Sequence, residues 1–392
     1  MNTEEQISLI KRGSVNLVNE TELKEKLVSG RKLRVKFGVD PTRPDLHLGH
    51  IVPLNKLKHF QEMGHTVVLI IGDFTAQVGD PSGKDSTRPV LDKASVLANA
   101  KTYTDQAFRI LDRERTEIKF NSEWLIPFTE FKKDSLSDFI NVAKSVTVSR
   151  LLEREDFKNR MKQESPISLL EMLYPVFQGY DSVAVKADVE LGGQDQIFNL
   201  LMGRDLQKLY GQPPQMALTM PLLVGTDGVK KMSKSYDNYI AFNDEPKDIF
   251  GKTMSLSDET MNSYYELLTE ADMAEVRAAH PMEAKKKLGE TLVEKFYGRE
   301  EAVKARQGFE QVFSRNELPS EMPEFVIREP MKISQIIVAA GAAKSGNEAR
   351  RLIEGGAVRI DSQKISEDGV FEPRDAILQA GKRNFRKIIR GA

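Results

Sequence analysis

The stretch from residue 31 to residue 73 constrains the fold most. "RKLRVKFGVD" reads as a short strand entering a turn. "LGHIVPLNKLKHFQEMG" places apolar residues at helical spacing and stops at Gly64. "HTVVLIIGD" is a continuous β-branched run. A run apolar on both faces suits a strand covered by helices on either side, as in a parallel sheet. Strand, helix and strand in that order make a βαβ unit. The expected fold class is therefore α/β, with a doubly wound, Rossmann-like parallel sheet whose ligands lie beyond the carboxyl ends of the strands.

"PDLHLGH" sits at the first strand-to-helix crossing, where a helix N-terminus favours phosphate. The chain has five histidines, and two of them, His47 and His50, fall here. Their spacing lets both side chains face one spot. Gly49 between them invites close approach to bare backbone. Taken alone, the pair also fits a metal site or an ordinary surface. Zinc would need more ligands, and the chain has no cysteine. That absence also excludes disulfides and thiolate nucleophiles, and it fits a reducing compartment.

At 392 residues, more than one domain is expected. Residues 1–32 read as a helical segment, 33–239 as the sheet domain with a charged helical insertion over about 91–165, and 240–320 as helical. Residues 321–330, within a proline-bearing stretch without periodicity, read as a linker. Residues 331–392 read as a small α/β tail. Charge follows this division. From Met331 to Ala392 twelve lysines and arginines face seven aspartates and glutamates, a net of +5. The whole chain is −1, so the first 330 residues carry −6. A basic tail on an acidic body points to a polyanionic partner. No apolar run is long enough to cross a bilayer, and the N-terminus lacks a signal peptide's apolar region.

"MPLLVGTDGVKKMSKS" (residues 220–235) reads as a last strand followed by a flexible basic loop carrying Lys231 and Lys234. Lysines after a glycine turn suit a clamp for developing phosphate charge. "GDPSGKDS" imitates a P-loop but fails. Gly79 and Gly83 are one residue too close, and Asp85 replaces the metal-binding hydroxyl.

"PTRPDLHLGH" and "KMSKS" resemble the two signatures of the class I aminoacyl-tRNA synthetases. "GVDPT", "GDFTAQVGDPSGK", "YPVFQGYDS" and "LGGQDQIFN" are similar to the bacterial tyrosyl branch, and the resemblance covers most of the chain. It implies that an amino-acid carboxylate attacks the α-phosphorus of ATP in line and pyrophosphate leaves. No covalent nucleophile is needed, only positioning and charge stabilisation. Thr42, His47, Gly49, His50, Lys231 and Lys234 are the catalytic positions this implies. Gly49 would leave room for adenosine, and Gly193 and Asp195 would join His47, His50 and Lys234 around ATP, bound as Mg-ATP with no protein-ligated metal. The amino-acid site would comprise Lys36, Gly38, Asp40, Asp80, Tyr174, Gln178, Asp181 and Gln196. Tyr174, Gln178 and Asp80 would hold the ammonium, and Asp181 the phenolic hydroxyl. One residue departs from the pattern: Lys36 stands where many tyrosyl enzymes have a second tyrosine contact to that hydroxyl. It supplies that contact itself, or pairs with Asp181, or the pocket reads the hydroxyl differently.

The tail resembles the S4 RNA-binding domain, which implies that Lys344, Arg350, Arg351 and Arg359 meet the phosphates of tRNA(Tyr). The resemblance also implies a homodimer and a cytoplasmic place of work; the helical insertion near Val146–Met161 is the segment expected to form part of the dimer interface. Three rivals are separable. A small-metabolite adenylyltransferase would lack the tail. A non-catalytic descendant is expected to lose a signature histidine or lysine. A tryptophan enzyme would lack Asp181 in this "Y-x-x-x-Q-x-x-D" setting.

Overall fold

The computed structural model describes residues 1–41, 46–80, 93–129, 133–314, 322–381 and 384–391. Thr42 lies outside them, as do Gly83 and Asp85 of the P-loop imitation. The chain forms two compact units, residues 1–306 and 307–392.

The first unit is built on six strands: β1 (Asn16–Val18), β2 (Arg34–Val39), β3 (Thr66–Ile71), β4 (Thr116–Phe120), β5 (Val189–Gly193) and β6 (Met216–Met220). Their spatial order is β1-β6-β5-β2-β3-β4. β2 to β6 run parallel, and β1 closes one edge antiparallel to β6. The chain winds from β2 outward through β3 to β4, then returns to the other side of β2 with β5 and β6. The winding reverses between β2 and β5, so the ligand crevice of this topology opens there. The continuous apolar run Val67–Ile71 is buried throughout, as are Val35, Val189, Leu191 and Met216–Met220.

Three expectations need correction. The segment 1–32 is not only helical, because β1 lies between the helices Thr3–Lys11 and Glu20–Val28. The supposed insertion over 91–165 contributes β4 to the sheet. The last strand of the sheet ends at Met220, so residues 221–233 are loop, leading into a 3-10 turn at Lys234–Tyr236. The two missed strands share a cause: both are sheet edges, β1 is three residues long, and β4 carries charges and is half-buried. The expected helical stretch is five helices between Pro246 and Ser314. It is tied to the sheet half by Tyr264 Oη donating to the Val224 carbonyl (2.8 Å) and by Lys295 Nζ donating to Asn55 Oδ1 (2.7 Å).

The second unit has β7 (Glu324–Ile327), β8 (Met331–Lys332), β9 (Val358–Ile360), β10 (Gln363–Ile365), β11 (Val370–Phe371), β12 (Ala376–Ala380) and β13 (Asn384–Arg390). Five of them form a sheet in the order β10-β9-β12-β13-β7. Helices Ile333–Ala339 and Gly346–Glu354 share its core through Ile333, Ile336, Ile337 and Ile353. The linker expected at 321–330 is corrected here. β7 pairs with β13, and Ile327 is a core residue. Prolines 323 and 330 flank an edge strand, where a missing N–H is tolerated. Among the described residues no helix is long and apolar enough to cross a membrane.

Candidate active site

His47 caps the helix Leu48–Glu62, and the two imidazoles do the work usually done by Ser and Glu. His47 Nδ1 accepts from the Gly49 amide (3.2 Å), and the His47 amide donates to His50 Nδ1 (3.1 Å). An amide can only donate, so the neutral His47 ring carries its proton on Nε2, whereas His50 Nδ1 faces both the His47 amide and the His47 carbonyl (3.2 Å). The rings lie 4.1 Å apart. A Cβ at Gly49 would first meet the His47 ring, at 3.0 Å, so this glycine lets the capping ring fold back over the helix start. Burial, with the positive charge of Lys234 adding to it, pushes His47 down to about 2 and His50 down to about 4. Both are neutral donors near pH 7.

One face of the helix Lys93–Ala107 holds this turn. Asn99 donates to the Pro41 carbonyl (2.9 Å), Tyr103 Oη lies 3.2 Å from His50 Nε2, and Gln106 accepts from the Leu46 amide (2.7 Å). The second signature docks on the first through residues 240–242. Leu48 N donates to the Ile240 carbonyl (3.0 Å) and Phe242 N to the Leu46 carbonyl (3.1 Å). The loop expected to be flexible is anchored. Asn238 accepts from Ser233 N (2.8 Å) and donates to Asp227 (2.9 Å), while Met232 is buried. Lys231 lies 3.4 Å from Asp195, and the Lys234 ammonium is over the Tyr239 ring, 5.9 Å from its centre.

Asp40, Tyr174, Gln178, Asp80 and Gln196 gather at the carboxyl ends of β2 and β5. Tyr174 Oη donates to Asp40 Oδ2 (2.9 Å), leaving its oxygen lone pairs as acceptors. Burial raises this phenol well above its usual value, so it stays a neutral hydroxyl. Asn199 donates to the side-chain oxygens of Gln178 and Gln196, each at 2.8 Å, and Gln196 donates to Asp80 (2.9 Å). Tyr174 Oη, Gln178 Oε1 and Asp80 thus offer acceptors, the set an ammonium needs. Gly38 and Gly193 lie at the same strand ends, and a Cβ at Gly38 would meet nothing within 4 Å.

Asp181 is 3% exposed. Trp124 Nε1 donates to one of its oxygens (2.8 Å), and Asn121 Nδ2 lies 3.5 Å from the other. Burial pushes its carboxyl up to about 7, against the opposing effects of Lys36, Trp124 and Asn121. Asn121 also donates to Thr75 (2.9 Å), which donates to Asp40 (2.7 Å). One hydrogen-bonded chain therefore joins Asp181 to Tyr174. The expectation that Lys36 contacts the amino acid is corrected. Its ammonium donates to the Gln178 carbonyl (2.8 Å), Ser182 Oγ (2.8 Å) and Glu190 Oε1 (2.9 Å), which uses all three N–H groups.

Sequence reasoning misses Asn121, Trp124, Arg154, Asn199 and Glu190. The first two follow directly on β4, the strand taken for helix, so their place at a ligand-facing strand end was hidden. Arg154, 4% exposed, donates to Asn199 (2.8 Å) from the helical insertion. In the second unit Lys344, Arg350, Arg351 and Arg359 are all exposed. Arg350 and Arg351 lie on the helix Gly346–Glu354, and Arg359 on β9.

Residues 28–314 match the family described as tRNA synthetases class I (W and Y), and residues 314–388 match the tyrosine–tRNA ligase SYY-like C-terminal domain. The chain belongs to the class I tRNA synthetases of that group. It is 50% identical to the tyrosine–tRNA ligase of Thermotoga maritima, covering 100% of this chain and 99% of that protein. It is 48% identical to that of Aquifex aeolicus, covering 100% of both. Among solved structures, the tyrosyl-tRNA synthetase of Archaeoglobus fulgidus, complexed with L-tyrosine, superposes with a TM-score of 0.63 at 23% identity, over 78% of this chain and 100% of that one. A C-terminally truncated mitochondrial tyrosyl-tRNA synthetase of Aspergillus nidulans does so with a TM-score of 0.64 at 19% identity, over 79% and 99%. These two show the fold.

Proposed function

We propose that this chain is a tyrosine–tRNA ligase: it activates L-tyrosine with ATP to tyrosyl-adenylate and pyrophosphate, then transfers tyrosine to the 3′ end of tRNA(Tyr). The observation that carries this is the polar chain from Asp181 to Tyr174. It sets a carboxylate and an ammonium-accepting cluster at opposite ends of one crevice, beside the docked signatures. The carboxylate of tyrosine would attack the α-phosphorus while the imidazoles of His47 and His50 and the ammonium groups of Lys231 and Lys234 take up spreading charge. Magnesium enters with ATP as part of the substrate. Asp195 would meet the ribose. The exposed cations of the second unit would meet tRNA phosphates, as in an S4 domain. Val148, Met161, Leu169 and Leu170 leave apolar side chains exposed, which supports a second copy against this face. A cytoplasmic place of work follows from the substrates. The test is ATP–pyrophosphate exchange across all twenty amino acids; stimulation by any amino acid other than tyrosine as the best substrate refutes the reading.

Two predictions arise at the histidines. His50→Ala should lower single-turnover adenylation roughly 100- to 1000-fold, the usual cost of one transition-state donor, with tyrosine binding nearly unchanged. An unchanged rate removes the phosphate role. The second concerns pH. Because burial depresses both imidazoles, neither is an imidazolium at pH 6, and each keeps its single N–H throughout. At saturating tyrosine the adenylation rate should therefore not fall between pH 6 and pH 8. A tenfold drop per pH unit above 6.5 would mean that an imidazolium is required.

A further inference from the structure

Lys36 and Glu190 are register partners on β2 and β5, the two strands between which the sheet reverses. Lys36 is 0% exposed and Glu190 1%. Two buried charges at this depth persist only when every donor and acceptor is matched. Here they are. The three Lys36 N–H groups are used as described above. Glu190 Oε1 accepts from Lys36 and from Gln178 Nε2 (3.3 Å), and Oε2 accepts from Ser182 Oγ (3.1 Å) and from Gln215 Nε2. A Cβ at Gly203 would strike Gln215, Ser182 and Glu190, so that glycine lets the helix Ile197–Leu209 close over the pair.

Gln178 is held twice by this pair. Its backbone carbonyl accepts from Lys36, and its side-chain nitrogen donates to Glu190. An amide has two orientations, and the neighbours decide which it takes. A carboxylate can only accept. Glu190 therefore fixes Nε2 inward, and Oε1 outward to Asn199 and the crevice. A substrate ammonium requires that outward oxygen, since an outward NH₂ group would repel it.

We propose that the buried Lys36–Glu190 pair is a positioning device for amino-acid ammonium recognition: Glu190 sets the orientation of the Gln178 amide, and Lys36 supplies the charge that lets Glu190 stay buried. Lys36 is thereby removed from the phenolic hydroxyl, which is left to Asp181. This rests on the reading that the crevice takes an α-amino acid.

The test uses the full-length enzyme and three ligands: L-tyrosine, its desamino analogue 3-(4-hydroxyphenyl)propanoate, and L-phenylalanine. The first pair differs by the ammonium and the other by the hydroxyl. In Lys36→Met/Glu190→Gln, neutral and nearly isosteric, the preference for tyrosine over the desamino analogue should fall by about tenfold or more, the scale of one hydrogen bond to a charged group. Measured at pH 9, so that the Asp181 carboxyl is ionised despite the opposed effects of Lys36 and Glu190 on it, the preference over phenylalanine should hold. KM for tyrosine should rise with kcat unchanged, because the ammonium is bound equally in ground and transition states. A collapse of the phenylalanine preference instead places Lys36 at the hydroxyl and overturns the proposal. Two unchanged preferences also overturn it, leaving the pair a packing feature. If the double variant does not fold, Ser182→Ala decides. It removes only the hydroxyl bridging the two charges, and should shift the desamino preference in the same direction by about threefold. No shift there overturns the proposal. Failure of the amino-acid reading is distinct: the unaltered enzyme would then bind the desamino analogue as well as tyrosine.

Discussion

Asp181→Ala is expected to destroy the preference for tyrosine over phenylalanine. The carboxylate is the acceptor at its end of the polar chain, held by Trp124 and Asn121. Without it, a bound phenol loses its acceptor, and the buried Trp124 and Asn121 donors lose theirs. A site built to read a hydroxyl prefers it over the analogue lacking it by about 10⁴- to 10⁵-fold; tyrosyl enzymes themselves supply the upper value, which is adopted here rather than derived from this geometry. Phenylalanine makes no such bond, so its activation should change little. Pyrophosphate exchange with each amino acid measures both. Equal losses would make Asp181 a structural residue. The same group carries a pH signature. Burial raises its carboxyl to about 7, so the ionised acceptor is lost as pH falls through that value. Lys36, Trp124 and Asn121 oppose the rise, and Glu190 adds to it. The tyrosine preference should therefore weaken from pH 8 to pH 6, while the rate at saturating tyrosine does not show an imidazole titration.

What sequence reasoning reaches here is what short-range pattern encodes. β2, the helix Leu48–Glu62 and β3 are legible because their periodicities differ sharply and a glycine separates them. His47, His50, Tyr174, Gln178 and Asp181 are legible because each lies in a compact motif at helical spacing. β4 and β7 are not, because edge strands carry charge or sit between prolines and so imitate helix or linker. The partner of Lys36 is not legible either. Glu190 lies 154 residues away, and only the register of β2 on β5 brings the two face to face. Trp124 is the chain's one tryptophan, yet nothing in "FNSEW" announces a contact to residue 181 until β4 is recognised as a strand.

That corrected boundary changes how the two units must be separated. Cutting after Glu329 would leave β7 without β13, and strip the second unit's core of everything but Ile327. Ending the chain after Ser314 keeps the helix Arg299–Ser314 whole, removes every strand of the second unit, and agrees with the point where the two family matches meet. The first unit keeps its sheet, both signatures and the whole polar chain from Asp181 to Tyr174, so tyrosine-dependent pyrophosphate exchange should survive. Charging of tRNA should not survive at ordinary tRNA concentrations. Residues 331–392 carry the net charge of +5, with Lys344, Arg350, Arg351 and Arg359 exposed. If those four cations each neutralise one phosphate, they release four counterions. The slope of log affinity against log salt should then be shallower in the shortened enzyme by about 3 to 4. Between 50 and 200 mM salt, the intact enzyme should accordingly lose roughly 100-fold more affinity than the shortened one. Binding titrations of tRNA(Tyr) at several salt concentrations measure both slopes. Matching slopes, with an unchanged Michaelis constant for tRNA, would show that the phosphate contacts lie on the first unit instead.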